Sequence, residues 1–133
     1  MTVDRPLRVE CRPEWKPVLR QFEPSVRESG IESLTIAFPE RAYGGHFTEQ
    51  GYNALVYTGV RDCWAREITV VNADSGMHSN ARFCTFAGLT FRMTPGAVPN
   101  KGDFGHHGFS ISGADNLITQ FDFQHRFIHD LTS

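Results

Sequence analysis

The side chains able to do acid–base or ligand chemistry gather in two stretches of this 133-residue chain. Pro39 to Gly51 carries Glu40, Arg41, Tyr43 and His46, while Thr94 to Gly105, with the two residues after it, carries Lys101, Asp103, His106 and His107. Asp74 lies between them in the short segment Asn72-Ala-Asp-Ser-Gly76. Imidazoles and carboxylates are the groups that accept and donate protons near neutral pH, and Arg and Lys beside them hold anionic ligands. Asp74, Asp103, His106 and His107 are therefore the candidate catalytic residues. Glu40, Arg41, Tyr43, His46 and Lys101 are the candidate ligand-binding residues. His106 and His107, flanked by Gly105 and Gly108, read as a tight return with one ring free to act as acid or base.

Six histidines raise the question of a metal, since four fall late, at 106, 107, 125 and 129. His125 and His129 have i, i+4 spacing, which places two ligands on one face only in a helix. The surrounding residues read as strand and turn, where alternate side chains point to opposite faces, and no Cys-rich motif accompanies them. No metal site and no cofactor are expected on this reading.

These groups must be positioned by something, and the chain between them states one pattern twice. Val56 to Val70 lies over Met77 to Phe91 without a gap, matching Arg61 with Arg82, Cys63 with Cys84, Ile68 with Leu89 and Thr69 with Thr90 at an offset of 21. Phe22 to Ile36 and Phe109 to Phe123 supply two further copies. A period near 20 residues, rich in β-branched and aromatic residues, is the pattern of a β-solenoid in which each repeat is one turn of a coil. Ile31/Ala65/Phe86/Ile118 and Leu34/Ile68/Leu89/Phe121 should then form interior ladders about 4.8 Å apart, with the polar column Thr35/Thr69/Thr90/Asp122 facing water. The expected fold is all-β, a short right-handed parallel β-helix of four coils over residues 22–125. Residues 1–21 serve as an N-terminal cap or partial coil, with Leu7, Val9 and Trp15 available to cover the first coil, and residues 126–133 form an incomplete coil. An antiparallel sandwich is the competitor, but hairpins do not require identical columns to recur at one offset.

The offsets also locate the chemistry. Phe22 to Val56 exceeds the uninterrupted spacing by 13 residues, and Met77 to Phe109 exceeds it by 11, in both cases after the same strand. Two excursions thus leave one corner, separated by a repeat that has none, and should wall a groove floored by Asp74.

With its repeats and groove, the chain resembles the right-handed parallel β-helix proteins, the superfamily that includes pectate-lyase-like polysaccharide lyases and several glycoside hydrolases. The likeness spans roughly residues 22–125 and is one of repeat architecture. It implies a carbohydrate-binding or polysaccharide-processing module that takes a polysaccharide or oligosaccharide, either as a lyase that removes a proton beside a uronate or as a hydrolase with paired carboxylates. The chain departs from that pattern in having no acidic calcium cluster, and Asn72, Asn80 and Asn116 fall in different columns rather than one ladder. The alternative is a noncatalytic assembly solenoid.

Composition narrows the partners. A net charge of -2 gives no global basic field for nucleic acid, and no apolar run approaches the roughly 20 residues that cross a membrane. The N-terminal residues lack the apolar core of a secretory signal, and the native compartment stays open. Three cysteines without CxxC spacing argue against a disulfide framework, and Cys63 and Cys84 read as small buried hydrophobes. The column Arg27/Arg61/Arg82 beside Glu28/Asp62/Phe83/Asp115 reads as a surface ion-pair ladder. Phe127 to Ser133 starts another half-coil with no cap, which points to a longer parent protein or to a homo-oligomer joined through exposed coil ends.

Overall fold

The computed structural model describes residues 6, 7 and 9–132. Among these described residues nine strands run β1 (Val26–Arg27), β2 (Gly30–Ala37), β3 (Asn53–Arg61), β4 (Trp64–Val71), β5 (Ser75–Arg82), β6 (Thr85–Arg92), β7 (Gly105–Ala114), β8 (Leu117–Phe123) and β9 (Phe127–Thr132). Successive strands alternate between two sheets, ordered β1-β3-β5-β7-β9 and β2-β4-β6-β8. Every pairing within both sheets is parallel, so the antiparallel sandwich is excluded.

The four-stranded sheet follows the sequence columns residue for residue. Ile31 pairs with Ala65, Ala65 with Phe86 and Phe86 with Ile118, while Leu34, Ile68, Leu89 and Phe121 form the second ladder. Ala65, Ile68, Phe86 and Leu89 are buried, and the terminal members Leu34 and Phe121 are exposed because each has a neighbour on one side only. In the five-stranded sheet the register departs from the gapless alignment. Leu55, not Val56, pairs with Met77, and the one-residue slip is absorbed at Gly59, whose φ is 66°. This bulge places Leu55 in the core at 4% exposure and leaves Val56 at 62%.

The core is aromatic towards the later repeats. Phe91 sits 5.3 Å from both Phe109 and Phe123, and Phe123 sits 5.7 Å from Phe127. Corners are pinned by side-chain amides: Asn72 donates to the Phe38 carbonyl and accepts from the Thr94 amide, and Asn116 accepts from Cys84 and donates to Ala81. These asparagines link successive repeats without forming a ladder. Cys63 and Cys84 are buried free thiols, with the Cys63 amide donating to Cys84 Sγ.

Two expectations change. Leu7, Val9 and Trp15 are all more than half exposed, and among the described residues near them the helical ones are a single 3₁₀ turn at Pro13–Trp15, so these three side chains do not cover the first repeat. The arginine column is real, since Arg27 pairs with Arg61 and Arg61 with Arg82. Aromatic faces join the acidic partners along it. Arg61 contacts Asp62 and also stacks on Phe83, and Arg82 stacks on Phe22.

Candidate functional site

Both long excursions leave the corner between the four-stranded and five-stranded sheets, after β2 and after β6. They do not stand apart as two walls. The Tyr43 amide donates to the Val98 carbonyl, and Asn100 Nδ2 donates to the Gly44 carbonyl, so the loops clasp over the intervening repeat. The groove is thereby divided into two clefts. The larger, about 320 Å³, is lined by Tyr43, Gly44, Gly45, His46, Thr48, Asn100, Lys101, Asp103 and Ile128. The smaller, about 230 Å³, is lined by Glu49, Gly51, Asn53, Asp74, Ser75, His78, His106 and His107.

Asp74 is a fastening within this arrangement. It is 3% exposed; Arg41 bonds to Oδ1, and the amides of Gly51 and Tyr52 donate to Oδ2 at 3.0 and 2.9 Å. Arg41 in turn stacks on the Tyr52 ring at 4.6 Å. The expected catalytic carboxylate and the expected ligand-binding arginine thus hold the first excursion onto the sheet. Glu40 is exposed and lines neither cleft. Asp103 faces Arg126 Nε at 2.9 Å, an ion pair without hydrogen-bond alignment, while Lys101 is exposed at the mouth of the larger cleft.

His106 and His107 lie inside β7 rather than in a turn, and their rings stack at 4.0 Å. The flanking glycines serve close approach. A Cβ on Gly105 would lie 2.7 Å from the Asp74 carbonyl, and one on Gly108 would lie 2.6 Å from the Asp130 carbonyl. Parallel pairing puts His129 of β9 beside His107, with the rings stacked at 5.2 Å. His46, on the turn closed by the Thr48 amide to the Gly45 carbonyl, reaches across so that its ring lies 4.1 Å from His106. His78 of β5 lies 5.7 Å from His107. Five of the six histidines therefore converge where the two clefts meet. His125 stands apart, against Phe104 and Phe127, so the separation of His125 from His129 holds while His129 itself joins the others.

Glu49 organises this cluster. Its Oε1 lies 3.1 Å from His106 Nδ1 and accepts a 2.9 Å bond from the Tyr43 hydroxyl. Burial alone would raise the Glu49 carboxyl. Its own backbone amide, the Tyr43 hydroxyl and the nearby His106 and His46 outweigh that and hold it below the usual range. Tyr43 is pushed up by burial and by Glu49. Burial lowers His106 against the opposing pull of Glu49, and burial with the neighbouring imidazoles lowers His107 to about 4. His78 is lowered by burial.

Glu49, His78 and Phe47 do not stand out in the sequence, and His129 is weighed there only against His125. His129 carried a usable signal, because the incomplete last repeat pairs it with His107. Glu49 carried none, since its partners are set by how the loop closes. No protein-family model, curated protein or solved structure matches this chain.

Proposed function

We propose that the chain is a right-handed β-solenoid module that binds or processes carbohydrate at the corner where the two excursions meet. The solenoid reading is supported by strict alternation of strands between two parallel sheets and by columns that stay in register through the four-stranded sheet and, apart from the bulge at Gly59, through the five-stranded one. The observation that carries the ligand reading is the makeup of the larger cleft. Phe47, at 83% exposure, stands in edge contact with His46, and His46 lines the cleft together with Tyr43, Asn100, Lys101 and Asp103 around a volume of about 320 Å³. An exposed ring beside directional polar groups suits a sugar, whose C–H face stacks while its hydroxyls find donors and acceptors. Of the reaction types that β-helix carbohydrate enzymes perform, proton abstraction by an imidazole beside a uronate fits better than hydrolysis by paired carboxylates. Asp74 is already committed to Arg41 and two amides, whereas Lys101 is available to a uronate carboxylate.

A screen of neutral and uronate-containing polysaccharides, followed by calorimetry on the best binder, tests this reading. Phe47→Ala should weaken binding at least tenfold without moving the melting temperature. Full affinity in Phe47→Ala, or no binder across the screen, would overturn it. The assembly alternative retains one specific support. Leu131, on the outermost strand of the five-stranded sheet, is 60% exposed.

A further inference from the structure

We propose that His46, His106 and His129 form a binding site for a divalent first-row transition metal ion, with Glu49 as its positioning residue. One ligand atom from each of the three imidazoles lies within 4.8 Å of the other two. A tetrahedral ion bound at about 2.0–2.1 Å would draw such nitrogens to about 3.4 Å apart. His46, on a loop turn, and His129 are exposed and can rotate by that amount, whereas His106 is half-buried on β7.

Orientation of the fixed ligand supplies the second argument. A metal-binding histidine usually donates its other ring N–H to a carboxylate, which sets the tautomer and aims the lone pair. His106 has such a carboxylate in reach: Nδ1 lies 3.1 Å from Glu49 Oε1 as an ion-pair contact outside hydrogen-bond alignment, and turning the ring to aim that N–H at Glu49 leaves Nε2 for the ion. Glu49 is itself held by the Tyr43 hydroxyl at 2.9 Å, and Tyr43 is 5% exposed. A Tyr43–Glu49–His106 chain thus runs from the buried base of the first excursion to the cluster. The three ligands come from the first excursion, β7 and β9, so an ion would tie the loop to the last strand of its sheet. Three imidazoles without a carboxylate among the ligands favour zinc, copper, nickel or iron over calcium or magnesium, and leave a fourth position for water or a ligand. This inference does not depend on the carbohydrate reading.

The test uses tag-free full chain titrated with Zn²⁺ against a chromophoric chelator, with Co²⁺ absorption to report tetrahedral geometry. One ion per chain is expected. Affinity should fall at least tenfold in His46→Ala, His129→Ala and Glu49→Gln, and stay unchanged in His125→Gln, whose ring lies outside the cluster. Thermal melts of the metal-free variants separate loss of ligands from loss of fold, and Glu49→Gln keeps the test open if a histidine variant is unstable. Absence of binding at 100-fold excess of chelator-buffered Zn²⁺ over protein would overturn the proposal. So would full affinity in the His46→Ala/His129→Ala double variant.

Discussion

Removing the Asp74 carboxylate should loosen the first excursion and the corner beneath it. In Asp74→Ala, Arg41 loses its ion-pair partner and the amides of Gly51 and Tyr52 lose their acceptor. Breaking a buried charge pair by deleting one member costs about 3–5 kcal/mol. The Asp74 side chain is 4% exposed, but that of Arg41 keeps 19%, so water recovers part of its hydration and the loss falls near about 3 kcal/mol. For 133 residues the unfolding entropy of about 2.1 cal/mol/K per residue converts this to a fall in Tm of about 10 °C. Differential scanning calorimetry on Asp74→Ala, Arg41→Ala and the double variant measures it. The double variant should lose less than the sum of the singles, because the pair is broken once only. A Tm within about 3 °C of wild type, together with loss of ligand binding in Asp74→Ala, would refute the anchoring argument and return Asp74 to the reacting groups.

Other outcomes follow from the same geometry. Burial, opposed in part by the Phe91 carbonyl and Asp130, lowers His125 from 6.5 to about 4. The unfolded chain therefore takes up the proton first, and the stability that His125 supplies above pH 6.5 is lost between about 6.5 and 4, at most about 3 kcal/mol. Urea unfolding of His125→Phe at several pH values should show a shallower slope there, and an unchanged slope would contradict it. Phe91→Ala removes a fully buried ring from among Phe109, Phe123 and Phe127 and should cost about 3–5 kcal/mol by denaturant titration. If the exposed outer strand recruits a second copy, sedimentation equilibrium should find a dimer that Leu131→Lys abolishes; Ile128 is a poorer contact because it lines the larger cleft. A monodisperse wild-type monomer at high micromolar concentration would exclude that assembly.

The four-stranded sheet was legible because nothing interrupts its strands: Ile31, Ala65, Phe86 and Ile118 keep one offset pattern, and hydrogen-bonded register converts it directly into a ladder. The five-stranded sheet was misread by one residue, since Gly59 is inserted where β3 and β5 otherwise match and a single glycine gives no warning in a gapless alignment. Backbone conformation was also hidden. Glu28, Asp62, Phe83 and Asp115 share one left-handed column, and Ser33, Glu67, Gly88 and Gln120 share another, yet only one of these eight is glycine. At the site, the corner and both excursions were readable from excess spacing. Which polar groups face each other was not, because loop closure decides it: Asp74 meets Arg41, and Glu49 meets Tyr43 and His106. His129 was set aside through its spacing to His125, when its relevant neighbour is His107 one repeat away in space.

The claim that the excursions and the last two strands of the five-stranded sheet build one ligand site is tested most directly by imidazole nitrogen spectra of the metal-free protein during titration with the polysaccharide fragment selected by screening. Resonances of His46, His106, His107 and His129 should shift together at one saturating concentration, while that of His125, packed between Phe104 and Phe127, stays in place as an internal control. Saturable binding that leaves those four rings unmoved, or that shifts His125 alone, would contradict the account.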